Sequence, residues 1–153
     1  MSEPPSEPLG AVVLRQATGV LVDGRTVLIE GQPGSGKTSL ALALIDQGAT
    51  LVGDDGVTLS LRGGGVWAAP PPHTAGLVEV RNVGIARLPS AEGPVALVLR
   101  LDPQAPRYVE QAERIELLGL AVPLIALYPD TPALPLRARW ALRLHGLVPD
   151  RTS

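Results

Sequence analysis

The stretch GQPGSGKT, Gly31 to Thr38, lies between an apolar run, Val27-Leu28-Ile29, and a segment of helical spacing that starts at Lys37. It fits G-x-x-x-x-G-K-[ST], and that pattern constrains the chain to an α/β arrangement in which a strand delivers a Gly-rich loop to a helix N-terminus. Gly31, Gly34 and Gly36 free the backbone to approach an anion closely. The remaining loop residues, Gln32, Pro33 and Ser35, complete the curl, although Pro33 brings no N–H donor. Successive N–H groups running on to Thr38 point at a phosphate, Lys37 adds a point charge, and the Thr38 hydroxyl can ligate Mg²⁺. The loop therefore speaks strongly for a nucleotide phosphate and weakly for the reaction that follows.

The rest of the chain suits that frame. Hydrophobic residues make up 45% of 153 residues, yet aromatics only 3% and Phe is missing. A core of Leu, Val, Ile and Ala fits buried strands flanked by helices. Short strands are expected at Ala11 to Leu14 and Gly19 to Val22, with Asp23-Gly24 turning the chain into the strand ahead of the loop. Lys37 to Gln47 reads as a helix closed by Gly48, and Ala49 to Val52 as a second buried strand. Val57 to Leu61 and Val66 to Ala68 form a hairpin pattern around three glycines. Leu77 to Val80 reads as a strand followed by a loop over Arg81 to Ile85. Val95 to Leu101 is the most apolar strand, and Pro-rich turns then lead to a helix over about Pro135 to Leu144. Residues 1–8 read as a disordered tail, 9–148 as one domain and 149–153 as a C-terminal tail.

Bulk properties exclude several function classes. A net charge of -2 implies no basic face, which argues against nucleic acid as a partner. The absence of cysteine removes disulfides and Cys-based metal or thiol chemistry. The start MSEPPSEP has no apolar core of a signal peptide, and no apolar run approaches the ~20 residues that span a bilayer. No membrane association and a cytoplasmic location are the expectations.

A second feature narrows the first. The strand after the loop helix ends in Gly53-Asp54-Asp55. βαβ geometry brings such a strand end beside the phosphate loop, where two carboxylates can divide labour. One accepts the proton of an attacking hydroxyl; the other orients it or holds metal through water. Asp102, ending VALVLRLD, competes for the acidic role, although Asp-Pro at a strand end is an ordinary turn start.

These residues resemble the bacterial HPr kinase/phosphorylase family, specifically its C-terminal catalytic domain in a short form. The resemblance runs from about Arg15 to the final helix. It rests on VLIEGQPGSGKTSLALALIDQGATLVGDD, on LVEVRNVGIARL, which is similar to the family's Glu-Ile-Arg-Gly-Leu-Gly-Ile signature, and on the weaker LYPDTPALPLRARWALRL. It implies a P-loop domain with a mixed β-sheet, related to the PEP carboxykinase-like fold. It further implies ATP and Mg²⁺ as cofactors, and phosphorylation of a serine on an HPr-like phosphocarrier protein of the phosphotransferase system, with the reverse phosphorolysis in full family members. Carried across, Lys37 and Thr38 bind phosphate and Mg²⁺, Asp54 is the proton acceptor with Asp55 its neighbour, Glu79 helps to hold Mg²⁺, and Arg81 belongs to the loop between nucleotide and protein substrate. The family's habit also implies a homo-oligomer, a hexamer.

The chain departs from the family pattern at named positions. A count back from Val27 puts Gln16 where the family has a histidine, and Gln16 cannot titrate near neutral pH. Ser39 replaces an acidic residue after the loop hydroxyl, Pro33 replaces a serine, and Asn82 replaces a glycine. The Pro-Val-Arg-Pro-Gly-Arg segment tied to dephosphorylation has no clear counterpart. Three readings follow: an ATP-dependent protein-serine kinase, a catalytically silent nucleotide-binding regulatory module, and a small-molecule kinase that uses Asp102.

Overall fold

The computed structural model describes residues 11–129 and 131–148; the tails expected at residues 1–8 and 149–153 lie outside them. The loop strand sits at the centre of a mixed sheet. From that sheet's edge, the chain runs β1 (Val13–Arg15), β2 (Thr18–Val22), β3 (Arg25–Gly31), α1 (Lys37–Asp46), β4 (Thr50–Gly53), β5 (Val57–Arg62) and β6 (Gly65–Ala69). A separate hairpin follows, β7 (Leu77–Val80) and β8 (Gly84–Arg87), then β9 (Gly93–Leu101), β10 (Glu113–Leu117), β11 (Leu120–Leu127) and α2 (Leu134–His145).

The large sheet is ordered β1-β5-β6-β9-β3-β2-β4, and β11 adds to β9 beyond the short stretch where β6 meets it. β3 and β9 are parallel neighbours. β4 is not β3's neighbour, because β2 lies between them, antiparallel to both. β3 and β4 therefore point the same way, and the α1 crossover spans one intervening strand. Their carboxyl ends, and the start of β2, meet at one end of the sheet.

Alternating side chains on the central strands serve two cores. Val27 and Ile29 of β3, with Leu97 and Leu99 of β9, pack under α1 and α2. Leu28 and Val98 face the other way, into a second cluster with Val57, Leu59, Val66, Leu117 and Val122. β9 is apolar on both faces because helices cover one and curled strands the other. In α1, Leu40, Ala41 and Leu44 are the buried face. The helix stops where expected: Gly48 takes φ +110, its N–H donates to Ile45 O, and Ala49 N–H donates to Leu44 O. That bond pattern closes a helix through a left-handed residue.

Several expectations need correction. The stretch read as Pro-rich turns before the last helix contains β10 and β11, joined by a two-residue turn at Leu118-Gly119 with φ of 51 and 83. The loop expected over Arg81 to Ile85 is shorter, because Gly84 and Ile85 already belong to β8 and pair back onto β7. The last helix runs one residue further at each end than its sequence spacing indicates.

Candidate functional site

Every part of the site hangs on the strand ends described above. Gly31 closes β3 and begins the loop, and a Cβ there would come within 2.6 Å of the Ser35 hydroxyl and 3.1 Å of Leu101 O. Ser35 N–H donates to Gln32 O across 3.0 Å and tightens the turn, while the Ser35 hydroxyl is buried without a partner. Gly36 precedes α1 with φ 105, and no side chain caps the helix. An uncapped helix N-terminus behind a Gly-rich loop leaves its orphan N–H groups open to an anion. Lys37 Nζ donates to Gly31 O at 3.0 Å and Gln32 O at 3.1 Å, so its charge lies over the mouth of the loop.

β4 brings Asp54 to the same place. Thr38 Oγ1 donates to Asp54 Oδ1 at 2.8 Å, tying the first turn of α1 to the end of β4. Thr18, the first residue of β2, reaches the same oxygen at 3.3 Å and accepts the Asp55 N–H at 3.4 Å. Asp54 is half-buried and Asp55 exposed. Asp55 takes φ 62, a left-handed conformation that Asp adopts more readily than most residues. Gly53 makes the turn feasible, since a Cβ on it would run into Gly56 O and approach Pro71 Cδ to 3.0 Å.

The residues expected further along the chain sit apart. Glu79 and Arg81 are exposed on the β7–β8 hairpin, whose β7 packs against α1. Neither is hydrogen-bonded to Lys37, Thr38, Asp54 or Asp55. Asn82 occupies the hairpin turn with φ 69, one of the few residues besides glycine that tolerates it. Asp102 caps its own turn, accepting the Gln104 N–H at 2.8 Å, and does not meet Thr38. It lines an open cleft of about 660 Å³ that adjoins the start of the loop, with Gln16, Gln32, Pro33 and Arg100. Gln16 is exposed there. The side chain that stands over Asp54 is Thr18, two residues later, which sequence reasoning passed over. The signal was a lone polar residue opening the otherwise apolar strand TGVLV.

No group of three His, Cys, Asp or Glu side chains is assembled to hold a metal among the described residues. The Thr38 hydroxyl, beside the Asp54 carboxylate, is an oxygen donor that suits a hard cation such as Mg²⁺, which keeps several waters and takes one or two protein oxygens beside phosphate. No helix of the described residues is long and apolar enough to cross a membrane.

Residues 12–98 match the model of the HPr serine kinase C-terminal domain. An HPr kinase/phosphorylase of Clostridium novyi is 38% identical over 95 residues, which cover 61% of this chain and 31% of the relative. One from Streptococcus thermophilus is 37% identical over 123 residues, 70% of this chain and 40% of the relative. The chain thus spans less than half the length of these curated relatives. The solved structure of the Hpr(Ser) kinase/phosphatase from Coxiella burnetii superposes with a TM-score of 0.76 at 27% identity, covering 86% of this chain and 88% of that one.

Proposed function

The chain belongs to the HPr serine kinase C-terminal domain family, and on that premise we propose that it transfers the γ-phosphoryl group of ATP to a serine of an HPr-like phosphocarrier protein. The observation that carries the reading is the Thr38–Asp54 hydrogen bond, which places a carboxylate at the helix end of the Gly-rich loop. Phosphoryl transfer needs chiefly positioning and charge stabilisation, so a loop, a cation and one acidic group make an adequate site.

In this proposal the loop N–H groups and Lys37 hold the β- and γ-phosphates, the amine leaving the Gly31 and Gln32 carbonyls for phosphate oxygens. Mg²⁺, held by Thr38 with help from Glu79, would neutralise charge on the phosphates. A hydroxyl donates one proton and keeps lone pairs, so Thr38 can serve a cation while still donating to Asp54. Asp54 accepts the serine proton, with Asp55 beside it. Arg81, on the exposed hairpin, faces the protein substrate and can pair with phosphate oxygens bidentately. A hexamer working in the cytoplasm belongs to the same proposal, as does control of carbon or nitrogen metabolism.

The test is incubation with labelled ATP, Mg²⁺ and the host's HPr-like protein. Label on serine supports the kinase. A folded protein that binds ATP and transfers nothing favours the silent regulatory module, the reading motivated by Gln16, Pro33 and Ser39.

A further inference from the structure

We infer that Thr18 is a positioning residue of this site: its buried hydroxyl ties down one oxygen of Asp54 and leaves the other as the one that receives the substrate proton. The inference rests on the kinase reading for its chemistry, and on three observations for its geometry.

The first is placement. Thr18 is fully buried and opens β2, the strand wedged between β3, which delivers the loop, and β4, which delivers Asp54. The second is proton accounting. A threonine hydroxyl has a single proton to give. Because the Asp55 N–H donates to Thr18 Oγ1, that proton is directed at Asp54 Oδ1. Thr38 donates to the same Oδ1, so this oxygen receives two hydroxyl donors, while Oδ2 receives none from the described residues. The third is a contrast within the fold. Among the described residues Thr26 is the other fully buried polar residue, and its hydroxyl is satisfied by a backbone carbonyl, Gly93 O at 3.0 Å. Thr18 is committed instead to the carboxylate and to the turn that carries Asp55.

The consequence for transfer is specific. As the new bond forms between the serine oxygen and the γ-phosphorus, the bond to the departing nucleoside diphosphate breaks and the serine proton passes to Asp54 Oδ2. Without Thr18's hydroxyl the carboxylate keeps one hydroxyl donor, Thr38, and turns more freely about its Cβ–Cγ bond, and the Asp55 N–H loses its acceptor.

The test compares Thr18→Val, which fills the same space without the hydroxyl, with Thr18→Ser, which keeps it. Thr18→Val is expected to lower kcat about tenfold or more with KM for ATP within about twofold, and Thr18→Ser to stay within about threefold of the parent. Amide exchange at Asp55, read by NMR, is expected to accelerate in Thr18→Val and not in Thr18→Ser. If Thr18→Val does not fold, Thr18→Ala takes its place in both assays. A kcat for Thr18→Val within about threefold of the parent overturns the inference, as does unchanged exchange at Asp55. A parent protein that transfers no phosphate defeats the kinase reading instead, and the Asp55 amide then decides Thr18's role alone.

Discussion

Thr38 and Asp54, sixteen residues apart in the chain, share a 2.8 Å hydrogen bond that joins the first turn of α1 to the end of β4. An asparagine at position 54 keeps an oxygen for Thr38 but has no basic oxygen. Asp54→Asn should therefore keep ATP affinity within a few-fold and reduce phosphoryl transfer by about 10²–10⁴-fold, the usual worth of a positioned base. Calorimetric titration with ATP beside a single-turnover transfer assay checks both halves. Transfer retained at the parent rate would remove Asp54 from the role of base.

Lys37 bonds the loop's own carbonyls, Gly31 O and Gln32 O. A bound triphosphate gives the amine a better partner, since charge-assisted bonds are roughly twice as strong as neutral ones. Lys37→Ala is expected to weaken ATP binding by about 10- to 100-fold, in line with ~1.5–3 kcal/mol for a hydrogen bond to a charged group. The same titration reads it, with ADP as a comparison. An unchanged affinity would remove Lys37 from phosphate binding.

Asp102 discriminates between two kinds of kinase. Its carboxylate caps the turn after β9 through the Gln104 N–H and stands apart from Thr38 and Asp54. Asparagine can make that same turn bond. Asp102→Asn should leave both ATP binding and transfer to an HPr-like protein within about twofold. A loss as deep as that of Asp54→Asn would favour the small-molecule kinase that draws its acid from β9.

Much of this arrangement was legible because local chemistry and tertiary context agreed. The Asp23-Gly24 turn, the Lys37 helix and its Gly48 stop all appear where the residues place them. The β10–β11 hairpin was illegible for a physical reason. Its turn uses Leu118-Gly119, and a leucine at φ 51 is not a residue that signals a left-handed position. Pro123 inside β11 also reads as a breaker, yet it pairs with Arg114 just ahead of the stretch that joins β9, which begins at Leu124. Thr18 escaped for another reason. Its role depends on β2 lying between β3 and β4, an order that no local pattern encodes. The ungapped count that singled out Gln16 also ignores hairpin length, which in this chain is set by the two-residue turn between β2 and β3.

Gly53 offers a test of how far packing behind the site controls its front. A Cβ on this residue would collide with Gly56 O and press on Pro71 Cδ at 3.0 Å and Val57 Cγ1 at 3.1 Å. Gly56 O belongs to the turn that carries Asp54 and Asp55, so the backbone carbonyl must move, and the carboxylates move with it. Overpacking of this kind costs about 1–3 kcal/mol, a fall of roughly 2–12 °C in the thermal midpoint for a chain of this size. Gly53→Ala should lose transfer activity well below its own melting temperature, because displacement of Asp54 by even ~1 Å costs about 10²-fold. Gly65→Ala is the control: Gly65 lies in β6 with its nearest atom, Arg62 O, 4.0 Å from the added carbon, and should be neutral in both assays. Melting curves and kcat measured at one temperature below both midpoints separate the two effects. A Gly53→Ala protein as active as the Gly65→Ala control would show that the aspartate turn is indifferent to the packing beneath it.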